Sequence, residues 1–384
     1  MLNFERFYTD LIMNHRIIAS FVLFCLSFLP LCAEETGKVR IAYDVDFEMN
    51  FDNREFYRSA FTPSMTIFGA RLTPSVGIRL DQPEHGISHR LMAGIDVMKD
   101  FGSPMATPKE LLKEPTLYYR LDKDCGKLDL ELYAGIFSRK KTEGKYSEAF
   151  FSDSLKFYDN NLEGLLVKFR LPKSYFEIGC DWMGQIGQTE RERFMIYSSG
   201  EDRLTDFLTL GYSGYVYHFA GCYEVRGVVD NILINPYARL DLAQYTDFQT
   251  LTFRLGWLQA LQNDRRNIGQ YTRPYGAEFD FELRKWNIGL RNSIFYGRDM
   301  MPYYNRTDAG GYKYGTRLYF GDPFYRVHDD GSEGFGMYDR FEFFWNPYVS
   351  DLLDIKVRAL FHFHGSHYSG TQQVVTVAFN LDRM

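Results

Sequence analysis

Val39-Arg40-Ile41-Ala42-Tyr43-Asp44-Val45-Asp46-Phe47-Glu48-Met49-Asn50-Phe51 alternates without a break. Val39, Ile41, Tyr43, Val45, Phe47, Met49 and Phe51 take one face, and Arg40, Ala42, Asp44, Asp46, Glu48 and Asn50 take the other. Side chains of a β-strand switch sides at every residue, so this run is a ribbon with one apolar and one charged face. Its thirteen residues exceed the roughly 5 to 6 usual in soluble sheets, and also the roughly 9 to 11 that a tilted strand needs to cross a bilayer. On this stretch alone, a strand of a soluble β-sandwich would read the same way.

The rest of the chain separates the two readings. Alternation predicts strands over 38–52, 64–80, 88–100, 115–123, 127–138, 162–171, 175–186, 190–198, 206–219, 232–243, 248–259, 275–284, 286–296, 335–346, 351–364 and 371–381. That makes about sixteen, within a range of fourteen to eighteen. Every second connection is short (122–126, 171–174, 199–202, 243–247, 284–285, 346–350), and most of those between are long. Short turns on one side and long loops on the other are the mark of a transmembrane barrel, whose long loops face outward. Trp182 and Trp257 fall near outer strand ends, and Trp286 and Trp345 beside inner turns, as two interfacial girdles would place them. The fold class is therefore all-β, a single antiparallel up-and-down barrel. The mean hydropathy of -0.32 is consistent with it, because every second residue of such a strand is polar.

Ahead of the first strand, Met13-Asn14-His15-Arg16 precedes an apolar run from Ile17 to Leu29, then Pro30-Leu31-Cys32-Ala33 and the acidic Glu34-Glu35. A positive start, a short apolar centre and a small residue at the cut describe a secretory signal peptide over 1–33, with Met13 an alternative start. The mature domain is then 34–384. Leu31 before Cys32 argues against a lipoprotein. Cys125, Cys180 and Cys222 remain, without paired spacing or a metal pattern, so no disulfide framework and no cofactor is implied.

With these features the chain resembles the porin-like outer-membrane β-barrel proteins of Gram-negative bacteria. The resemblance covers 38–384 and includes a final strand with Val375, Val377, Phe379 and Leu381 on one face. It implies location in the cell outer membrane, contact with outer-membrane lipids and insertion by the barrel-assembly machinery. That family's last strand ends in an aromatic residue, whereas this chain ends Asp382-Arg383-Met384, so Phe379 would have to serve. The abundance of Tyr and Phe is similar to barrels of the Bacteroides group, as is Asp153-Ser154-Leu155, which resembles their O-glycosylation sequence.

Carried through every strand, the alternation turns Asp44, Asp46, Glu48, Arg71, Arg79, Arg90, Arg254, Glu278, Asp280, Glu282, Arg291, Arg340, Lys356 and Arg358 into the lumen. On the lipid face each midplane Arg or Lys would cost about 2 to 4 kcal/mol. Walls of opposite sign would select polar solutes, possible sugars among them; alternatively the charges pair across neighbouring strands and fill the interior. The long connection 297–334 is the candidate constriction, through Tyr303, Tyr304, Arg306, Tyr312, Tyr314, Arg317, Phe324 and Tyr325. Long unstructured loops are uncommon unless functional.

His362 and His364 point the same way at i, i+2, a chelating geometry without a fixed third ligand. A barrel enzyme acting on lipid or peptide would need a Ser–His or Asp–His pair at the lipid edge or outer rim, and His89 beside Ser88 has no recognisable motif around it. The net charge of -6 argues against nucleic acid. The sequence thus points to a non-enzymatic channel for passive diffusion of small polar solutes. A structural or partner-binding barrel with a plugged lumen is the alternative. No oligomeric state follows.

Overall fold

The alternating run at Val39 becomes the lower part of a nineteen-residue strand, β1 (Lys38–Phe56). The computed structural model describes residues 37–56, 59, 61–104, 111–328 and 334–381; the expected signal peptide and the three C-terminal residues lie outside them. The barrel belongs to one compact unit, Val39–Met384.

After β1 come β2 (Met65–Gln82), β3 (Ile87–Asp100), β4 (Leu112–Asp124), β5 (Asp129–Ser138), β6 (Asn161–Arg170), β7 (Ser174–Gly184) and β8 (Arg193–Arg203). The second half comprises β9 (Leu208–Phe219), β10 (Val229–Asp241), β11 (Thr250–Asp264), β12 (Tyr275–Lys285), β13 (Ile288–Gly297), β14 (Gly336–Trp345), β15 (Tyr348–Ser350), β16 (Leu353–His364) and β17 (His367–Asn380). Apart from three-residue β15, which lies in an inner turn, sixteen long antiparallel strands are described. β1 pairs with both β2 and β17, and the Asp46↔Asn380 to Phe56↔Gly370 ladder closes the barrel. Closure leaves no unpaired edge, which hydrocarbon would not tolerate.

Ile41, Val76, Ile78, Leu91, Leu117, Val216, Leu255 and Phe343 are exposed on the outer surface and form its apolar belt. Trp286 and Asn287 both have positive φ, 53° and 67°, and make the two-residue turn from β12 to β13. That backbone suits a hairpin because its twist matches the strands.

All sixteen expected strands are present, with ends shifted. β8 runs on through Arg203 instead of turning at 199–202, β11 continues to Asp264, and β17 starts four residues early at His367. β5 and β6 have only ten residues each, so there the chain leaves the wall low and turns inward.

Candidate functional site

Two connections fold into the lumen and leave chambers of about 640 and 480 Å3 beside them. The first, 139–160, follows β5 and contains helix α1 (Asp153–Tyr158), capped by Ser152, whose Oγ accepts from Leu155 N. Lys140 Nζ lies 2.9 Å from Asp46 and 2.6 Å from Glu48 of β1, and Lys141 Nζ is 3.0 Å from Asp44. Farther round the wall, Ser147 Oγ donates to Glu278 of β12 at 2.6 Å, and Asp153 accepts from Arg358 of β16 at 2.8 Å. The segment therefore spans the lumen as a strap. Sequence reasoning missed it, although the apolar Phe150-Phe151 pair stood out in a connection; Phe150 is fully buried. Asp153 and Ser154 face inward, Ser154 accepting from Arg54 at 2.6 Å, so the resemblance to a glycosylation sequence has no outward-facing acceptor.

The second connection, expected as a constriction over 297–334, follows β13 and is described over 298–328 and 334–335, with a one-turn helix α2 (Gly315–Leu318). Tyr303, Tyr314, Phe324 and Tyr325 are buried, Tyr304 and Arg317 half-buried, and Arg306 and Tyr312 exposed. Tyr325 Oη donates to Glu278 at 2.6 Å, Tyr319 Oη to Gln262 at 2.7 Å, and Asn231 Nδ2 to the Leu318 carbonyl at 2.9 Å. The two loops also hold each other: Ser152 N donates to Phe320 O at 2.9 Å, and Asp322 N to Glu148 O at 2.8 Å. Burial pushes the carboxyl groups of Asp322 and Asp299 up to about 6.

Most of the wall charges have partners. Arg71 binds Asp96, Arg79 lies 2.6 Å from Asp81, and Arg254 is 2.9 Å from Glu278 and 2.6 Å from Asp280. Arg291 is 2.8 Å from Glu282, Arg340 is 3.5 Å from both Asp153 and Glu342, and Lys356 is 3.7 Å from Glu342. Arg90 stands between Arg79 and Arg120 in the ladder. The acidic residues of β1 and β12 are thus paired instead of forming one wall of a transverse field. A chamber of about 640 Å3 remains under the strap, lined by Glu48, Arg54, Lys145, Lys156, Lys356 and Arg358 among others.

His362 and His364 do point the same way, but their nitrogens meet other groups. His362 Nδ1 is 2.8 Å from Tyr338 Oη, and Nε2 is 2.9 Å from Gln372 Oε1, whose amide donates to Asp52 at 3.0 Å. Among the described residues no three His, Cys, Asp or Glu side chains gather as a metal site. His364 has a different neighbour: Nδ1 lies 2.8 Å from Ser369 Oγ, and Nε2 lies 3.2 Å from the Phe324 carbonyl. Its ring stacks on Phe61, with centroids 4.2 Å apart. His89, considered from sequence, instead meets Tyr119 Oη at 2.7 Å, near the inner turn.

A family model described as lipid A 3'-O-deacylase-type matches residues 33–318. No curated protein matches the chain. Among solved structures, a loop L8 deletion mutant of OmpT, an outer membrane protein of Vibrio cholerae, aligns with a TM-score of 0.51 at 9% identity, covering 89% of this chain and 99% of that one. OpdO of Pseudomonas aeruginosa aligns at 0.49 and 10% identity, over 89% of this chain and 97% of that one. OccD3 (OpdP) of the same organism aligns at 0.48 and 11% identity, over 92% and 94%. The chain has the porin-like barrel fold of Gram-negative outer-membrane proteins. The expectation that it is not an enzyme is overturned by the family match, because that family is named for removing an acyl group.

Proposed function

The chain belongs to the lipid A 3'-O-deacylase-type family, and from that premise we propose that it hydrolyses an acyl ester of a lipid A-like glycolipid in the outer leaflet. The observation that carries this reading is the obstruction of the outer lumen by two loops. With 139–160 and 298–335 hydrogen-bonded to the wall and to each other, chemistry at the rim is favoured over passage through the middle. The substrate would present its ester at the level where the apolar belt ends and the polar rim begins. Export with removal of 1–33 and insertion by the barrel-assembly machinery belong to the same proposal, and N-terminal sequencing of the membrane-extracted protein should begin at Glu34.

The test is mass spectrometry of lipid A after incubation with the refolded full chain in mixed micelles. Loss of one hydroxyacyl or acyl mass is expected, and an unchanged lipid profile would reject the reading.

A second reading, entry of small polar solutes, is favoured by the chamber of about 640 Å3 with charges of both signs. Conduction by the intact chain would support it.

A further inference from the structure

We propose that the chamber of about 640 Å3 under the strap is a binding site for a small organic phosphate, a phosphate monoester on a sugar-sized body, held chiefly by Lys145 and Lys356. The site goes beyond both readings above and depends on neither.

The lining is unequal in charge, with eight Arg and Lys residues against four Asp and Glu. All four carboxylates are engaged. Glu48 lies 2.6 Å from Lys140, Asp52 lies 2.6 Å from Arg54, Asp153 lies 2.8 Å from Arg358, and Asp354 accepts from Asn346 at 2.6 Å. Three more of the cations pair with carboxylates outside the lining: Arg139 with Asp181 at 3.0 Å, Lys156 with Glu148 at 3.1 Å, and Arg291 with Glu282 at 2.8 Å. Two lysines are left over. Lys145 is exposed to the lumen and forms no ion pair among the described residues. Lys356 reaches Glu342 only at 3.7 Å, and that carboxylate also faces Arg340 at 3.5 Å and Arg291 at 3.9 Å. Removal from bulk water inside the barrel, and then the nearby Arg239 guanidinium, hold the Lys145 ammonium below its usual range against the pull of Glu201, Glu282 and Asp241. Its surroundings are therefore short of negative charge. A partly enclosed space lined by unmatched cations concentrates anions.

Two unmatched ammonium groups call for a ligand with more than one negative charge. A phosphate monoester carries roughly -1.5 to -2 at pH 7 and offers three acceptor oxygens. Lysine meets such a group as a point charge, without needing the planar geometry that a carboxylate shares with arginine. The remaining lining suits a sugar-sized body. Tyr146 and Tyr158 supply rings that are not fully buried, and Asn50 and Thr376 supply an amide and a hydroxyl. The volume falls in the range of about 300 to 1,000 Å3 usual for small-molecule sites. The chamber extends from Arg54 on β1 down to Asp354, the second residue of β16 after an inner turn. A ligand approaching from the periplasmic end therefore need not pass the two loops.

Calorimetric titration of the refolded full chain in detergent, with glucose 6-phosphate, glucose and malate as separate probes, tests the site. Glucose 6-phosphate should bind, and glucose should not. Lys145→Gln and Lys356→Gln should each weaken binding by about 10-fold or more, the scale of one hydrogen bond to a charged group. Arg170→Gln removes a cation paired with Glu131 and Glu143 outside the chamber, and should leave the affinity unchanged. Folding of every variant is checked by its heat-modifiable gel shift. Absence of binding to the folded chain would overturn the site, as would equal binding of glucose, unchanged affinity in both lysine variants, or an equal loss in Arg170→Gln. Tighter binding of malate would overturn the phosphate assignment. Lipid A hydrolysis and bilayer conductance are read separately, so phosphate binding in a chain that does neither still upholds the site.

Discussion

At Gly321 the absence of a side chain decides whether two loops can touch. A Cβ there would lie 2.0 Å from the Ala149 carbonyl oxygen, a backbone atom that cannot swing away. The neighbouring hydrogen bonds, Ser152 N to Phe320 O and Asp322 N to Glu148 O, require this close approach. Gly321→Ala should therefore push the strap and the plug apart and break both bonds. A cost of about 1 to 3 kcal/mol, the usual range for overpacking, is expected. The checking measurement is the urea midpoint of loop release, followed by proteolysis within 139–160; an unchanged midpoint would mean the loops do not depend on each other. His364 teaches a related point about legibility. Its i, i+2 spacing from His362 was readable and suggested a metal, yet the bulge that brings Ser369 to it was not. A one-residue register slip leaves the alternation of Gln372, Val374 and Thr376 intact, so the apolar pattern gives no sign of it.

The strands were legible because the rule that makes them is local: lipid on one side and water or paired charge on the other impose a two-residue period on each strand separately. The loops obey no such rule. Ser147 meets Glu278 and Asp153 meets Arg358 across more than a hundred residues of sequence, so nothing near 139–160 announced that it crosses the lumen. The length and aromatics of 297–334 were visible in the sequence, but not its titration. Burial raises Asp322 to about 6 against the opposing pull of the Phe324 amide, Arg340 and Arg54, with Glu148 adding to the rise. Asp299 is raised to about 6 in the same way, opposed by the Met301 amide, Arg326 and His328. Because these folded-state values exceed the ordinary 3.8, the docked loop binds protons more tightly than the released one. The stabilisation is then fully present below about pH 4 and is lost as pH rises through about 6. Limited proteolysis of 298–335 should accelerate between these limits, and Asp299→Asn/Asp322→Asn should flatten the profile. A wild-type rate independent of pH over this window would refute the assignment.

For the whole molecule, strand number creates a problem that the loops solve. Side chains fill the interior of a barrel of about eight strands, and at about sixteen they no longer reach across. Here Lys140, Ser147, Asp153, Tyr319 and Tyr325 from the two loops make the contacts to the wall, and Ser147 and Tyr325 meet on the same carboxylate, Glu278. The plug has a second attachment, since its Phe324 carbonyl receives Nε2–H of His364. One segment thus obstructs the lumen and is tied to the outer end of β16. Replacing 300–327 by a short Gly-Ser linker should open the lumen. In a planar bilayer the intact chain should be silent, and the shortened chain should show steady conductance through the charged chamber of about 640 Å3. Silence of the shortened chain would mean that 139–160 alone obstructs the lumen. Steady conductance in the intact chain would mean that the loops narrow the lumen without closing it, and would favour solute passage over chemistry at the rim.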